Sequence, residues 1–227
     1  MNFKNSLILF LAFFMSASLL SADQTKARMM KLGKPVICPK TGEYNVGDRG
    51  PSNGWIIYKK PAASGQSDSA CWQYIEAAPS DLEKTSAWSN VTDRLVGGTS
   101  TGVGNGKENT QKIIAQAGHT ESAAKSCVDL YVEYNGKTFH DWFLPSKDEL
   151  DLMYLILKRP NTRKAVGGFK EAWYWSSSEY EGNAESAWMQ AFYYDAPYDV
   201  YRIYYHKDDG FKKFDCTISR VRCARAF

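Results

Sequence analysis

Hydrophobic residues recur at helical spacing between residues 146 and 160, where the pattern along the chain is clearest. Ser146 and Glu149, three residues apart, form a capping box, which is typical of a helix N-terminus. Basic residues followed by Pro160 close the segment, as at many helix C-termini. We therefore predict a helix whose apolar stripe faces the core and is formed by Leu150, Met153, Tyr154 and Leu157.

Two further helices and several short strands are predicted around this segment. Helices are expected near residues 107–117 and 122–131. Residues 55–58, bounded by turn residues, predict a short strand, and residues 71–76 alternate like a second one. Beyond the glycine pair at 167–168 the pattern is one of short aromatic strands and loops. Because strands and helices do not alternate regularly, the predicted fold class is α+β.

Composition and charge narrow the class of protein. The chain has 227 residues, of which 44% are hydrophobic and 14% aromatic, enough for the core of one large domain. The formal net charge is only +3, and the sequence has no dense basic stripe. We therefore do not expect nucleic acid as a partner.

The N-terminus has the pattern of a secretion signal. Lys4 is the only charge before an uncharged stretch with an apolar centre at residues 7–15, and small residues follow up to Ala22. This length suits a signal peptide and is short for a membrane span. We expect a signal peptide at 1–22 and a linker or loose arm at 23–43. The protein would then be exported to the periplasm, the cell surface or the medium; an uncleaved membrane anchor is the alternative.

Five cysteines, at positions 38, 71, 127, 216 and 223, match no zinc-binding spacing. Export permits disulfides, and the odd number leaves at least one cysteine without a partner in the same chain. Cys127 lies in an apolar helical pattern, so we expect a buried thiol there. The disulfide pairing stays open.

A glycine-rich loop at residues 96–106 precedes the first predicted helix. Glycines before a helix can bind phosphate, but the details of the known motifs are missing. A Walker loop needs glycine where Thr101 stands and a hydroxyl where Glu108 stands, and the dinucleotide fingerprint is also broken. We interpret the segment as a tight loop that leads into a helix.

Tyrosine is concentrated near the C-terminus, where six of the chain's 14 tyrosines lie between Tyr193 and Tyr205. Neighbouring residues point to opposite faces of a strand. Adjacent pairs such as Tyr204-Tyr205 must therefore place some rings outward or in loops. Tyrosine combines a stiff apolar body with a polar tip and is enriched in binding surfaces. The stretch predicts a recognition face.

Eight short motifs, each weak alone, occur in an order that resembles a known family over residues 44–227. They are Val46-Gly-Asp-Arg-Gly-Pro51 with Trp55-Ile-Ile-Tyr58, Tyr74-Ile-Glu-Ala-Ala-Pro79, Val96-Gly-Gly-Thr-Ser-Thr101, Ser122-Ala-Ala-Lys125, Asp141-Trp-Phe-Leu-Pro-Ser-Lys-Asp-Glu-Leu150, Tyr174-Trp-Ser-Ser-Ser178, Ala187-Trp188 and Val221-Arg-Cys-Ala-Arg-Ala-Phe227. Together they resemble bacterial C-type-lectin-like proteins of the formylglycine-generating-enzyme subtype. The tyrosine-rich stretch is similar to the variable region of diversity-generating retroelement proteins.

The resemblance implies a C-type lectin-like domain over 44–227 with a variable region at about 180–220. It also implies a secreted or surface-displayed protein that binds an unknown protein or other surface ligand, with no catalysis and no cofactor. The scaffold of the binding face would include Trp173, Trp175 and Trp188, which we expect in the core beneath it, with Arg222 and Arg225.

A codon argument that goes with the resemblance separates fixed from variable positions. Mutagenesis in such systems acts at adenines of AAC or AAT codons, and full randomisation there leaves codons that end in a pyrimidine. Such codons cannot encode Gln, Glu, Lys, Met or Trp, so Trp188, Met189, Gln190 and Lys207 are expected to be scaffold. The permitted variable residues are Tyr193, Tyr194, Asp195, Tyr198, Asp199, Tyr201, Arg202, Tyr204, Tyr205 and His206.

Two other functions stay open as alternatives, and so does a calcium site. One function is a lectin-like surface domain that does not diversify. The other is an enzyme like the formylglycine-generating enzyme, whose close cysteine pair is not matched by Cys216 and Cys223, which stand seven residues apart.

Candidate groups for metal binding or catalysis are weak in this sequence. Carboxylates bind calcium, but acids on flexible loops are more often solvated, so no metal is expected. The candidates for calcium are Asp195, Asp199, Asp208 and Asp209. The serines at 176–178 lack a local base pattern and are expected to form turn and backbone hydrogen bonds.

Overall fold

The computed structural model of the protein describes residues 42–61, 71–84, 86–158, 165–182, 184–193 and 219–227, and the backbone of 203–205. The chain divides into two compact units, Met1–Pro39 with Ala63–Cys71 and Lys40–Ala62 with Trp72–Phe227. Of the first unit only Cys71 is described, so the fold given below is that of the second. The predicted signal peptide and almost all of the predicted linker lie outside the described residues.

The second unit combines short helices with short strands, which confirms the predicted α+β class. Its helices are α1 (Gly106–Ile114), α2 (Ala123–Val128) and α3 (Lys147–Met153), and a π-helical turn, Tyr154–Lys158, continues α3. Its strands are β1 (Trp55–Lys59), β2 (Tyr74–Ala77), β3 (Val132–Tyr134), β4 (Lys137–Phe139), β5 (Trp173–Glu179), β6 (Ala187–Ala191), β7 (Ile203–Tyr205), β8 (Ser219–Arg220) and β9 (Ala224–Ala226). Among the described residues, no helix has the length and apolar character needed to cross a membrane.

The strands form three small sheets. The first has the order β1-β2-β9, and both of its pairings are antiparallel. Strands β3 and β4 form a separate antiparallel hairpin. The third sheet has the order β7-β6-β5-β8, in which β8 runs parallel to β5 and the other neighbours are antiparallel. The last strand of the chain therefore pairs with one of the first.

The helix starts follow the local sequence signals. The Ser146 hydroxyl accepts a hydrogen bond from the Glu149 N–H, and the Glu149 carboxylate accepts one from the Ser146 N–H, which confirms the capping box. At α2, the Ser122 hydroxyl accepts from the Lys125 N–H at 2.9 Å. Helix α1 ends at Ile114, before residue 117, and Gly118, with a φ of +83°, cannot belong to a right-handed helix.

Two apolar clusters form the core of the unit. The first lies around α3 and the π-helical turn, and includes the apolar stripe predicted for that helix. In it, the rings of Phe169 and Phe192 stack with centroids 4.9 Å apart. The second cluster joins α1 and α2 to the C-terminal segment. Its buried members include Trp88, Ile113, Cys127, Trp142, Leu144, Val221 and Cys223.

The three tryptophans expected in the core are only half-buried. Tyr174 is fully buried instead. Because neighbouring residues on a strand point to opposite faces, an inward Tyr174 directs Trp173 and Trp175 to the other side of β5. The expectation is corrected accordingly: the tryptophans border the core, and Tyr174 belongs to it.

Cys127 forms a disulfide with Cys223, which corrects the expectation of a buried thiol. Both residues are fully buried, and their Cα atoms are 5.5 Å apart, a usual separation for a bridged pair. The bond links α2 to the C-terminal segment across 96 residues of sequence. Cys71 is also disulfide-bonded.

The C-terminal segment is held along its length by the rest of the unit. Val221, Cys223 and Ala224 are completely buried. Their backbone groups bond to two other parts of the chain. Ala78 N and Leu82 N, in the segment after β2, donate to Cys223 O at 2.8 Å and to Val221 O at 3.0 Å, and Phe143 and Ala224 form a reciprocal pair at 2.8 Å. The segment is therefore an interior element of the fold.

Candidate ligand-binding face

Strand β6 leads from the core into the tyrosine-rich stretch. Met189 and Gln190 are buried, and the Gln190 amide donates to the Asp151 carboxylate at 2.9 Å. Phe192 is fully buried, whereas Tyr193, the next residue, is 37% exposed. The side chains thus change from interior to surface at the first of the predicted variable positions.

The π-helical turn after α3 anchors the start of the stretch. The Tyr154 ring meets the Phe192 ring edge to face, with centroids 5.2 Å apart. The Tyr154 hydroxyl donates to the Tyr193 carbonyl oxygen at 3.3 Å. Turns of π-helix are rare and frequently lie at functional sites. The point where the stretch leaves the core is therefore held by both packing and a hydrogen bond.

Within the stretch, the backbone of β7 lies beside β6. Its register pairs Trp188 with Tyr204 and Ala187 with Tyr205. The side chains of β7 lie outside the described residues, as do Tyr194, Asp195, Tyr198, Asp199, Tyr201, Arg202 and His206 entirely. For these positions the predicted recognition face stays a prediction. Lys207, expected to be scaffold, lies outside them too.

A cavity of about 460 Å³ opens beside β6. The glycine-rich loop, the end of β5 and the middle of β6 contribute its walls. Its lining residues are Thr99, Ser100, Thr101, Gly102, Glu179, Tyr180, Glu181 and Trp188. The sequence predicted Trp188 as scaffold of the face and placed Tyr180 and Glu181 within the variable region. It did not predict the loop residues, because nothing local indicates that the loop at 99–102 folds against β5 and β6.

The glycine-rich loop uses its backbone donors within the protein. The two oxygens of the Glu179 carboxylate accept hydrogen bonds from the N–H groups of Val96 and Gly97, at 2.9 and 3.0 Å. The Glu149 carboxylate accepts from the Gly104 N–H at 2.8 Å. A phosphate cradle needs such N–H groups free to face a ligand. Their engagement supports the interpretation of a tight loop that leads into a helix.

Glu149 is the most perturbed acid of this region. It is completely buried at the start of α3. Burial raises the pKa of its carboxyl to about 7, although backbone N–H donors of Ser146, Gly104 and Gly106 favour the charged form. The side chain holds the cavity loop against α3, and it is not part of the cavity lining.

The serines at 176–178 tie β5 to its surroundings, all three completely buried. The Ser176 hydroxyl donates to the Trp188 carbonyl at 2.8 Å, and the Ser178 hydroxyl donates to the Ser100 carbonyl at 2.9 Å. The expected backbone hydrogen bonds are confirmed. The serines lie in a strand instead of a turn, at the point where the register between β5 and β6 is irregular.

The two arginines predicted as scaffold form ion pairs away from the cavity. Arg222 is completely buried, donates from Nε to Asp81 at 2.7 Å, and lies with its guanidinium 3.8 Å from the centroid of the Phe169 ring. The Tyr174 hydroxyl donates to the same Asp81 carboxylate at 2.7 Å. Burial, with Asp81 beside it, raises the pKa of Tyr174.

Arg225 joins two acids of different segments. Its Nη1 donates to Glu76 at 2.8 Å, and its Nε donates to Asp141. Burial raises the pKa of Glu76, while Ser52 and Arg225 act in the opposite direction. Since β9 carries Arg225 and β2 carries Glu76, the pair reinforces the closure of the first sheet.

Among the described residues, no group of three or more His, Cys, Asp or Glu side chains is placed to hold a metal ion. The four aspartates considered for calcium, at 195, 199, 208 and 209, lie outside those residues.

In comparisons with protein-family models, curated proteins and solved structures, nothing matches this chain.

Proposed function

We propose that the protein is an exported, surface-displayed or secreted binding protein of C-type lectin-like fold. Its ligand-binding face is the tyrosine-rich stretch with the adjoining cavity. The side chains of that stretch are diversified by a retroelement, so that related copies recognise different ligands. Affinity would come from tyrosine anchors, and specificity from the Asp, Arg and His residues among them.

The observation that carries the proposal is the boundary at Phe192 and Tyr193. The codon argument assigns Met189 and Gln190 to the scaffold, and both are buried in β6. The permitted variable positions begin at Tyr193, where exposure rises from 0% at Phe192 to 37%. A face that changes between copies needs this separation, because altered core residues would destabilise the fold.

Export is supported by the disulfide between Cys127 and Cys223. Disulfides persist in oxidising compartments and are rare in the bacterial cytoplasm. The disulfide also supports a function without catalysis, since it leaves Cys223 without the thiol that an enzyme like the formylglycine-generating enzyme would need near this end of the chain.

The proposal is tested first by replacing Tyr201, Tyr204 and Tyr205 together with Ala in a copy selected to bind a known target. That copy comes from a display library that keeps Tyr201, Tyr204 and Tyr205, is randomised at the other seven permitted positions, and is panned against hen lysozyme. We expect the triple change to abolish lysozyme binding and to leave the melting temperature nearly unchanged. Unfolding of the triple variant would instead assign these rings to the core.

A matched library randomises exposed positions on the β3–β4 hairpin and just before it, including Tyr131 and Tyr134, which are 69% and 38% exposed. We expect no binders from it, and equal yields from both libraries would contradict a dedicated binding face.

The neighbouring DNA tests diversification separately. An imperfect repeat of the segment that encodes the tyrosine-rich stretch is expected beside a reverse transcriptase gene, and its absence would leave the non-diversifying surface domain.

A further inference from the structure

The cavity beside β6 has the size and composition of a binding site for one side chain. Its volume of about 460 Å³ falls within the range of small-ligand sites. One wall carries the aromatic rings of Trp188 and Tyr180, which meet at 85° with centroids 5.7 Å apart. The exposed residues Ser100 and Thr101 line the same cavity, as do Glu179 at the end of β5 and Glu181 two residues beyond it.

Glu179 contributes a buried carboxylate to the cavity lining. It is only 5% exposed, and its carboxylate accepts two hydrogen bonds from uncharged backbone N–H groups. Among the described residues, no Lys, Arg or His forms an ion pair with it. A carboxylate accepts about four hydrogen bonds, so its oxygens keep acceptor capacity. Buried charges are usually paired, and a cation in the cavity that Glu179 lines would supply that counter-charge.

Two further groups favour a cation in the cavity. Glu181 is exposed at the rim and adds a second negative charge. The Trp188 ring already attracts a cation, since the Lys147 ammonium lies 5.4 Å from its centroid. That ammonium is itself paired with the Asp148 carboxylate at 2.9 Å, so its charge is balanced outside the cavity lining.

We infer that the cavity binds the ammonium or guanidinium of a Lys or Arg side chain on a protein ligand. The inference rests on the proposed binding function and names the ligand chemistry of one fixed subsite beside the variable positions. Glu179 and Glu181 attract the cation, and Trp188 and Tyr180 pack against its aliphatic stem. The subsite would be common to all copies, whereas the tyrosine-rich stretch would select among ligands that share this feature.

The test uses the full protein and small probes that carry a single side chain. Nα-acetyl-lysine amide and Nα-acetyl-arginine amide are titrated at low salt and followed by NMR chemical shifts, with Nα-acetyl-norleucine amide as the uncharged control. We expect both cations to bind and norleucine amide not to bind. Raising the salt concentration should weaken binding, because the attraction is partly between solvent-exposed charges.

Variants separate the subsite from general effects of charge. Glu181→Gln should weaken lysine amide binding about threefold without altering the fold, because Glu181 is exposed. Glu133→Gln, an equally conservative change on the exposed β3–β4 hairpin, should leave binding unchanged. Trp188→Leu, compared at equal folded fraction, should weaken binding by a further factor of about three.

Three results would overturn the inference. These are equal binding of norleucine amide, equal effects of Glu181→Gln and Glu133→Gln, and binding of methyl glucoside in place of the cations. If the cation probes fail while the tyrosine-to-alanine triple variant still loses its selected target, the proposed function survives and only the subsite is wrong. If the library selection fails while the cation probes still bind, the subsite is right and the proposed variable binding face is wrong.

Discussion

Gly106 shows how strongly a single residue is constrained where the backbone passes close to a buried carboxylate. A Cβ atom there would lie 2.8 Å from the Phe143 ring and 2.9 Å from the Leu144 carbonyl, and nearer still to Glu149 Oε2. We predict that Gly106→Ala destabilises the protein by about 2 kcal/mol through overpacking, despite the better helix propensity of alanine. Urea unfolding measures this change.

Gly102→Ala is the matched control, because its nearest neighbour is the movable end of the Asn105 side chain at 3.0 Å. It should cost far less than Gly106→Ala. Equal losses in the two variants would mean that the loop and not the close approach to Glu149 determines the effect.

At this scale the sequence indicates local interactions and misses distant ones. The capping box of Ser146 and Glu149 was predictable because both partners belong to one turn of helix. The partner of Cys127 was not, because Cys223 is 96 residues away and three other cysteines compete with it in the sequence. Trp173 and Tyr174 are both large aromatic residues, so composition cannot say which one faces inward.

Among the elements, the cavity loop and the start of α3 depend on the Glu149 carboxyl. The pKa of this carboxyl is about 7 in the folded protein, above its ordinary value of 4.5. Between pH 4.5 and 7 the folded protein therefore keeps a proton on Glu149 that the unfolded chain has released. Stability from this group is complete below about pH 4.5 and is lost as the pH rises towards 7. In the wild type, this group should lower the free energy of unfolding by about 3 kcal/mol between pH 4.5 and 7. We predict that Glu149→Gln does not show this decrease.

Urea unfolding of both proteins from pH 4.5 to 7.5 tests the pH prediction. The difference between them is the quantity to compare, because other groups titrate as well. The raised pKa of Glu76 acts in the same direction, and the lowered pKa of His119, caused by burial, acts in the opposite one. Glu121→Gln, an exposed change, should follow the wild type at every pH. A wild-type minus Glu149→Gln difference that is independent of pH would refute the role of Glu149.

Elements with a strong local pattern were predictable, and their neighbours in the sheets were not. Strand β1 and helix α3 lie where the hydrophobic spacing places them. The parallel pairing of β5 with β8 has no local signal, since it joins Trp173 to Ser219 across the whole tyrosine-rich stretch. The cavity has no local signal in the sequence either, because its walls come from three separate segments.

For the whole molecule, the disulfide between Cys127 and Cys223 is the longest covalent constraint among the described residues. We predict that the double variant Cys127→Ala/Cys223→Ala loses about 2–5 kcal/mol of stability, because the cross-link restricts the unfolded chain. Denaturant unfolding under oxidising conditions measures the loss. With excess reductant, the variant and the wild type should become similar; a difference that persists would indicate lost packing and not the lost cross-link.

The burial of residues 221–224 after the tyrosine-rich stretch has a consequence for how this chain can evolve. Under the proposed function, the stretch is rewritten with side chains that selection has never tested for folding. Most random changes destabilise a protein, and a fold close to its stability threshold would lose many of its copies. A buried, cross-linked C-terminal segment keeps the mutable surface between two fixed ends. The protein can then sample many surfaces while most of its copies still fold.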